Sequence, residues 1–315
     1  MHDGSRRAIV AAFGSNLAIA VAKFVGFLFT GAASMLAEAV HSAADTTNQG
    51  LLFLGGARAR KRATTDHPFG YGRERYFWSF VVALVIFSLG SVFAMFEGIE
   101  KLVNPHRLES AVWAFAILVL ALGCESFSLR TAVRESRPVK GEESWWRFIR
   151  RSKTPELPVV LLEDVGALIG LALALLGVAL AEITGNPRFD AIGSVAIGVL
   201  LGVIAVILMI EMKSLLIGEA ASPVTVADIT EAMDSSPEVL RVIHLRTEHL
   251  GPDELLVAAK VAFDTGLSVP TLAKAIDDVE RRIRAAVPEA RFIYIEPDVT
   301  RTAGLPEYRS QASSS

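Results

Sequence analysis

Residues 34–56, SMLAEAVHSAADTTNQGLLFLGG, are long and apolar enough to cross a bilayer, yet they include three ionisable residues and an asparagine. Glu38, His41, Asp45 and Asn48 follow one another at intervals of three or four residues, which places them on one face of a helix. An ionisable residue at membrane depth costs roughly 2.5–3.5 kcal/mol and usually serves a function. His41 and Asp45 are one turn apart, so the stretch predicts a bound cation inside a membrane-spanning helix.

Five further segments are long and apolar enough to cross the hydrocarbon, which takes about 20 helical residues. With residues 34–56, the predicted spans cover approximately 8–29, 34–56, 77–100, 110–132, 157–182 and 190–212. The first apolar run spans a full membrane thickness, so we expect it to remain as a helix and not to be cleaved as a signal peptide.

Basic residues indicate the orientation of these spans. Most Lys and Arg outside the spans lie in the N-terminus and in the loops after the second and fourth spans, whereas the opposite loops offer only Arg107 and Arg188. The positive-inside rule therefore predicts that both termini and the two long loops are cytoplasmic.

Composition excludes several classes of function. Of the 315 residues, 52% are hydrophobic, which is too many for an ordinary soluble protein, and the net charge of −3 gives no sign of nucleic-acid binding. The single cysteine, Cys124, excludes an intramolecular disulfide and a thiolate metal cluster.

The chain after residue 222 has the composition of a soluble domain. We predict helices at 223–234 and 269–287 and strands near 239–249, 254–263 and 291–296, followed by a disordered polar tail over 302–315. The second strand alternates its apolar residues, which predicts one buried face: Leu255, Val257, Ala259, Val261 and Phe263. The order αββαβ suits a small sandwich with both helices on one face of the sheet.

The fifth predicted span holds two adjacent acids, Glu163 and Asp164. Neighbouring helical residues point about 100° apart, so we expect one acid to face the polar stripe of the second span and the other to pair elsewhere. Of the remaining histidines, His67 lies in a basic loop. His244 and His249 are expected on opposite sides of a strand, which argues against one shared metal site.

Four segments together resemble the cation diffusion facilitator family: AEAVHSAADTTNQ (37–49), HPFGYGRERYFWSF (67–80), LLEDVGALIGL (161–171) and ITGNPRFDAIGSVAIG (183–198). They are most similar to its branch containing the zinc transporter of animal mitochondria. The resemblance implies an α-helical membrane protein with a six-helix transmembrane bundle over 1–215 and a cytoplasmic α+β domain, αββαβ and ferredoxin-like, over 216–300, with a tail over 301–315. It also implies a homodimer that exports divalent metal in exchange for protons.

The resemblance also implies a transport site. The family's metal-binding pair on its second helix is matched by His41 and Asp45, and the last member of its pair on helix five by Asp164. Val160 stands where the family usually has His or Asp, so the fourth ligand is expected from Glu163 first, or from Glu38, Asn48 or water. A family loop site is matched only by His67, with Tyr71 in the second place. Lys260 and Ile295 stand in or near the places of the soluble domain's usual metal histidines.

One imidazole with two or three carboxylates suits Zn²⁺ but does not strongly exclude Mn²⁺, Fe²⁺ or Co²⁺. Protons and metal compete for the same groups, which predicts antiport with no resident cofactor and Zn²⁺ as the transported substrate. The alternatives are a membrane metal sensor or scaffold and an intramembrane metalloenzyme, although the sequence contains no HExxH motif. We expect a multi-pass protein of a bacterial inner membrane, with lipid, metal ion and protons as partners and no enzymatic activity.

Overall fold

A computed structural model describes residues 33–105 and 111–298, together with the isolated positions 13, 17, 20, 21, 24 and 25. These residues form two compact units, with the division between Gly218 and Glu219. The predicted first span and the predicted C-terminal tail lie mainly or wholly outside the described residues.

The N-terminal unit is helical in all its described elements. They are α1 (Ala33–Arg58), α2 (Glu74–Val85), a π-helical segment (Ile86–Ser91), α3 (Val92–Val103), α4 (Ala111–Lys140), α5 (Trp145–Arg151), α6 (Glu156–Thr184) and α7 (Arg188–Ile217). Helix α2, the π-helical segment and α3 run on without interruption, so together they form one rod of 30 residues.

Within the described part of the chain, three helices are long and apolar enough to cross a membrane: Glu74–Val103, Glu156–Thr184 and Arg188–Ile217. They coincide with the predicted third, fifth and sixth spans. Helices α1 and α4 coincide with the predicted second and fourth spans, but polar residues lower their overall hydropathy. Helix α4 extends beyond the predicted fourth span, which ends near residue 132, and continues to Lys140 with Pro138 close to its end.

Small residues bring α7 close to the rod formed by α2 and α3. A Cβ atom on Gly198 would lie 2.8 Å from the backbone nitrogen of Met95 and 3.0 Å from the carbonyl oxygen of Ser91. The Ser91 hydroxyl donates a hydrogen bond of 2.7 Å to the carbonyl oxygen of Gly198. Gly198 and Gly202 have the GxxxG spacing, whose small residues allow such close contact between membrane helices.

The C-terminal unit contains α8 (Pro223–Asp234), β1 (Val239–Gly251), β2 (Glu254–Phe263), α9 (Val269–Ala286) and β3 (Ala290–Asp298). Strand β2 lies between the others, antiparallel to β1 and parallel to β3. The predicted elements match these bounds within two residues. Ser222 and Ser268 cap the two helices by accepting hydrogen bonds from the backbone nitrogens of Thr225 and Thr271.

The alternating residues of β2 are all buried, with exposures of 4% or less, as the sequence pattern predicts. They pack with the apolar stripe of α9 (Ala275, Val279 and Ile283) into one core. In this unit the apolar pattern of the sequence therefore agrees with the buried faces of the folded structure.

Candidate metal centre

The acidic pair of α6 lies inside the helix, seven and eight residues after its start at Glu156. Asp164 is buried, with 7% of its surface exposed. A buried carboxylate requires a donor, a cation or a proton, because desolvation penalises an uncompensated charge. The surroundings of these two side chains therefore decide what they can do.

Glu163 faces α1, where it meets the last residue of the polar stripe. The Asn48 amide nitrogen donates a hydrogen bond of 2.8 Å to Glu163 Oε1. Asn48 is 2% exposed. Its other polar atom, Oδ1, is buried and accepts no hydrogen bond in the described structure. An amide oxygen in this condition is an available ligand for a cation.

Asp164 faces α4. The Ser128 hydroxyl lies 3.2 Å from both Asp164 Oδ1 and Oδ2 and donates to the carboxylate. Among the described contacts, Glu163 thus reaches α1 and Asp164 reaches α4, as expected for adjacent helical residues. Sequence reasoning missed Ser128, because a hydroxyl within an apolar helix carries no signal that identifies its partner.

The remaining predicted ligands lie on α1, whose backbone is helical from Ala33 to Arg58. The side chains of Glu38, His41 and Asp45 are outside the described residues. Among the side chains that are described, no three His, Cys, Asp or Glu residues come together as a metal site. The assignment of His41, Asp45, Asp164 and Glu163 to one ion therefore remains a prediction.

The loop histidine has a structural environment of its own. The His67 ring is exposed and stacks on Tyr71, with ring centroids 4.5 Å apart. Its backbone exchanges two hydrogen bonds with Thr64, which closes a tight turn.

In the C-terminal unit, His244 is exposed and His249 is buried at 6%, in agreement with the prediction that they face opposite sides. Lys260 lies beside His244 in the sheet register, and its Nζ contacts Glu296 at 2.9 Å and Asp298 at 3.2 Å. Hydrogen bonds to Glu296 and then to Asp298 raise the pKa of Lys260. An ammonium group therefore occupies the position between these two carboxylates.

Ion pairs that the sequence pattern did not reveal join the helices of the N-terminal unit. Arg75 Nη2 donates to Glu156 Oε2 at 2.9 Å, which links the starts of α2 and α6. Lys101 links Glu97 on its own helix, at 3.1 Å, to Asp190 on α7, at 3.4 Å.

The sequence matches two domains of a known protein family. Residues 9–217 match the cation efflux transmembrane domain, and residues 221–298 match the cytoplasmic domain of cation efflux proteins. The chain belongs to the cation efflux family. Its two matched regions lie on either side of the division between the two structural units.

Individual relatives are similar over different lengths. The mitochondrial proton-coupled zinc antiporter SLC30A9 of Mus musculus is 36% identical over 245 residues, which are 77% of this chain and 43% of that protein. Metal tolerance protein C4 of Arabidopsis thaliana is 29% identical over 86% of this chain and 60% of its own length. A solved C-terminal domain of MamM is 18% identical, with a TM-score of 0.23, over 24% of this chain and 96% of that domain. The chain thus spans less than half the length of the SLC30A9 proteins it matches.

These findings confirm the resemblance to the cation diffusion facilitators and to the branch with the mitochondrial zinc transporter. They also confirm a multi-pass helical membrane protein with a C-terminal α+β domain. The family is one of cation efflux proteins and not of enzymes, and the expectation of no enzymatic activity is confirmed on that ground.

Proposed function

We propose that this protein transports a divalent metal cation, Zn²⁺, across its membrane in exchange for protons. The observation that carries the proposal is the hydrogen bond from Asn48 to Glu163. It joins Asn48, on α1, to Glu163, the residue that precedes Asp164 on α6, inside the helical unit. The relatives named as proton-coupled zinc antiporters support the choice of ion and of coupling.

The transport site consists of His41, Asp45 and Asp164, with a fourth donor from Glu163 or Asn48. On α1, Asp45 precedes Asn48 by three residues and His41 precedes Asp45 by four, and from this helical spacing we expect all three on one face. Asn48 Oδ1, which accepts no hydrogen bond from the described residues, supports Asn48 as a donor beside Glu163. One imidazole with oxygen ligands suits tetrahedral Zn²⁺.

The chemistry of these groups couples metal to protons. Zn²⁺ requires neutral His41 and ionised carboxylates, so each bound ion excludes protons from the same atoms. An empty and fully ionised site would leave carboxylates uncompensated in a medium of low dielectric constant. The site therefore changes the side of the membrane to which it opens only when it holds either metal or protons. Metal transport in one direction is thereby exchanged for proton transport in the other.

The test is zinc uptake by purified protein in liposomes with an imposed pH gradient. Asp164→Asn, Asp45→Asn and His41→Ala should each reduce uptake to the level of empty liposomes. The matched control is Glu182→Gln, which removes an exposed carboxylate from the same helix as Asp164 and should transport as the wild type does. Full uptake by Asp164→Asn and Asp45→Asn would refute the site.

The same preparation separates a carrier from a sensor or scaffold. If the wild-type protein binds zinc at equilibrium but transports none at any pH gradient, the result would support a sensor. Uptake that ignores the pH gradient would refute proton coupling while leaving transport intact. A panel of Mn²⁺, Fe²⁺ and Co²⁺ in place of Zn²⁺ determines the ion.

The membrane and the assembly are proposals of the same kind. We place the protein in a bacterial inner membrane with both termini on the cytoplasmic side. The orientation is supported by the basic residues of the N-terminus and of the segments 59–73 and 141–155. We also propose a homodimer, supported by the match to the cytoplasmic domain of cation efflux proteins.

A further inference from the structure

Helix α5, with the sequence WWRFIRR over Trp145–Arg151, is a short helix of the N-terminal unit. Only residues 152–155 separate its end from α6, which is long and apolar enough to span a bilayer. A chain of that length reaches at most about 17 Å. Helix α5 therefore lies within about 17 Å of the start of α6, which is close enough to the end of a membrane-spanning helix for its side chains to reach a lipid headgroup layer.

Two contacts hold α5 on the helical unit. The Phe148 side chain is 3% exposed, and Arg150 Nε forms an ion pair of 3.0 Å with Glu211 Oε1 on α7. Ser144 caps the helix by accepting a hydrogen bond from the backbone nitrogen of Arg147. These contacts fix α5 against the rest of the N-terminal unit, so its remaining side chains point away from that unit in a defined direction.

The outward side chains are aromatic and cationic. Trp146 is 55% exposed and Trp145 is 38% exposed. Arg147 and Arg151 are exposed, one helical turn apart, and neither forms an ion pair within the described part of the chain. Lys140 Nζ lies 5.2 Å from the centre of the Trp145 ring, which adds another cation beside the aromatic pair.

We propose that α5 docks on the headgroup layer of the bilayer and binds anionic phospholipid through Trp145, Trp146, Arg147 and Arg151. Tryptophan is enriched at membrane interfaces because its ring is apolar and its indole N–H is polar. Clustered arginines next to a span complement the negative headgroups of an anionic leaflet. A water-exposed loop would gain nothing from two adjacent exposed tryptophans, whereas a headgroup layer accommodates both rings.

The test uses the full-length protein in lipid nanodiscs that contain brominated phosphatidylcholine or brominated phosphatidylglycerol, whose bromines quench nearby tryptophan. Subtracting the signal of the Trp145→Phe/Trp146→Phe variant isolates these two residues from Trp78 and Trp113. We expect strong quenching by both lipids and a clear preference for the anionic lipid. Each arginine replaced by glutamine should lower that preference about fivefold.

Three variants complete the design. Arg147→Lys/Arg151→Lys keeps both charges and should keep the preference, and Arg62→Gln removes an exposed basic residue from another loop and should not alter it. Quenching that is absent for the wild-type pair would refute the docking of α5. Equal quenching by the two lipids, or an unchanged preference in Arg147→Gln/Arg151→Gln, would refute anionic lipid as the ligand.

Discussion

At the scale of single residues, the candidate metal centre is defined by its polar neighbours as much as by its carboxylates. Ser128 contacts both oxygens of Asp164, and Asn48 contacts Glu163. Such contacts orient a ligand before the ion arrives, which lowers the entropic cost of binding. Neither residue carries charge, so both leave the charge balance of the site unchanged.

Ser128→Ala should weaken zinc transport without abolishing it. Loss of the hydrogen bond leaves Asp164 less well oriented, and loss of an orienting contact around a metal typically costs about 10-fold in affinity or more. The measurement is the zinc concentration that gives half-maximal uptake in liposomes. Ser126→Ala is the matched control, because Ser126 lies on the same helix and donates only to the carbonyl oxygen of Leu122. Equal shifts in both variants would show that the Asp164 contact is unimportant.

At the scale of helices, the N-terminal unit is held together by close backbone approach and by ion pairs near helix ends. In lipid, burial of apolar surface between helices provides little driving force, so van der Waals contact at small residues becomes important. Gly198 allows α7 to approach the backbone of Ser91 and Met95. The π-helical segment Ile86–Ser91 ends at this contact, and π-helical turns often occur at functional sites.

Gly198→Ala should lower the thermal midpoint of the purified protein. The added methyl group would meet backbone atoms of Met95 and Ser91 that cannot rotate away, so the helices must separate, at a cost of about 1–3 kcal/mol.

Gly123→Ala on α4 is the control for this prediction, because in the described structure no atom of another element lies within 4 Å of the added Cβ. It should raise the midpoint slightly through better helix propensity. A midpoint for Gly198→Ala equal to that of Gly123→Ala would contradict the close approach.

At the scale of the whole molecule, the two units differ in where their charged residues lie. The N-terminal unit retains a buried acid, Asp164, on a helix long and apolar enough to cross lipid, whereas the C-terminal unit forms ion pairs at its surface, as Asp278 does with Arg281 and Arg282. Glu254 of the C-terminal unit lies 3.9 Å from Arg291 through Oε1, but its Oε2 is buried and accepts no hydrogen bond in the described structure.

Glu254→Gln should change the pH dependence of unfolding of the C-terminal unit. Burial raises the pKa of the Glu254 carboxyl, Arg291 opposes this shift, and Asp253 adds to it. The folded unit therefore favours the protonated acid. The stability that Glu254 contributes is present below its unfolded pKa and is lost as the pH rises through the folded pKa.

Glutamine remains neutral at every pH. The free energy of unfolding of the variant, minus that of the wild type, should therefore increase as the pH rises from 4 to 7. Urea denaturation, followed by the secondary structure of the C-terminal unit, measures the difference. Glu231→Gln, which removes an exposed carboxylate of α8, is the control and should show no such trend. A difference between Glu254→Gln and wild type that is constant with pH would contradict the prediction.

Several features could be predicted from the sequence for physical reasons. Strand β2 alternates with a period of two and α9 has apolar residues every four, so their bounds and buried faces follow from local pattern. The helices Glu156–Thr184 and Arg188–Ile217 follow from hydropathy, and each extends a few residues beyond the predicted span. Helix α4 also extends beyond its predicted span, because hydropathy reports which residues can cross lipid and not where a helix stops.

The contacts between helices could not be predicted in this way. Nothing in the spacing around Ser128 or Arg75 identifies Asp164 or Glu156 as its partner, because these pairs are 36 and 81 residues apart in sequence. Such partners are determined by the helix that packs alongside and by the rotation of that helix about its axis.

The sequence by itself determined the class of this protein. The long apolar segments, with their polar stripe and acidic pair, indicate membrane helices that carry ionisable groups. Such groups are costly in lipid, so they occur where they are paired or functional. Only the tertiary structure decided that Asn48 meets Glu163 while Ser128 meets Asp164. The physical reason is that helical periodicity determines which residues share a face, whereas the packing of one helix on another determines what that face meets.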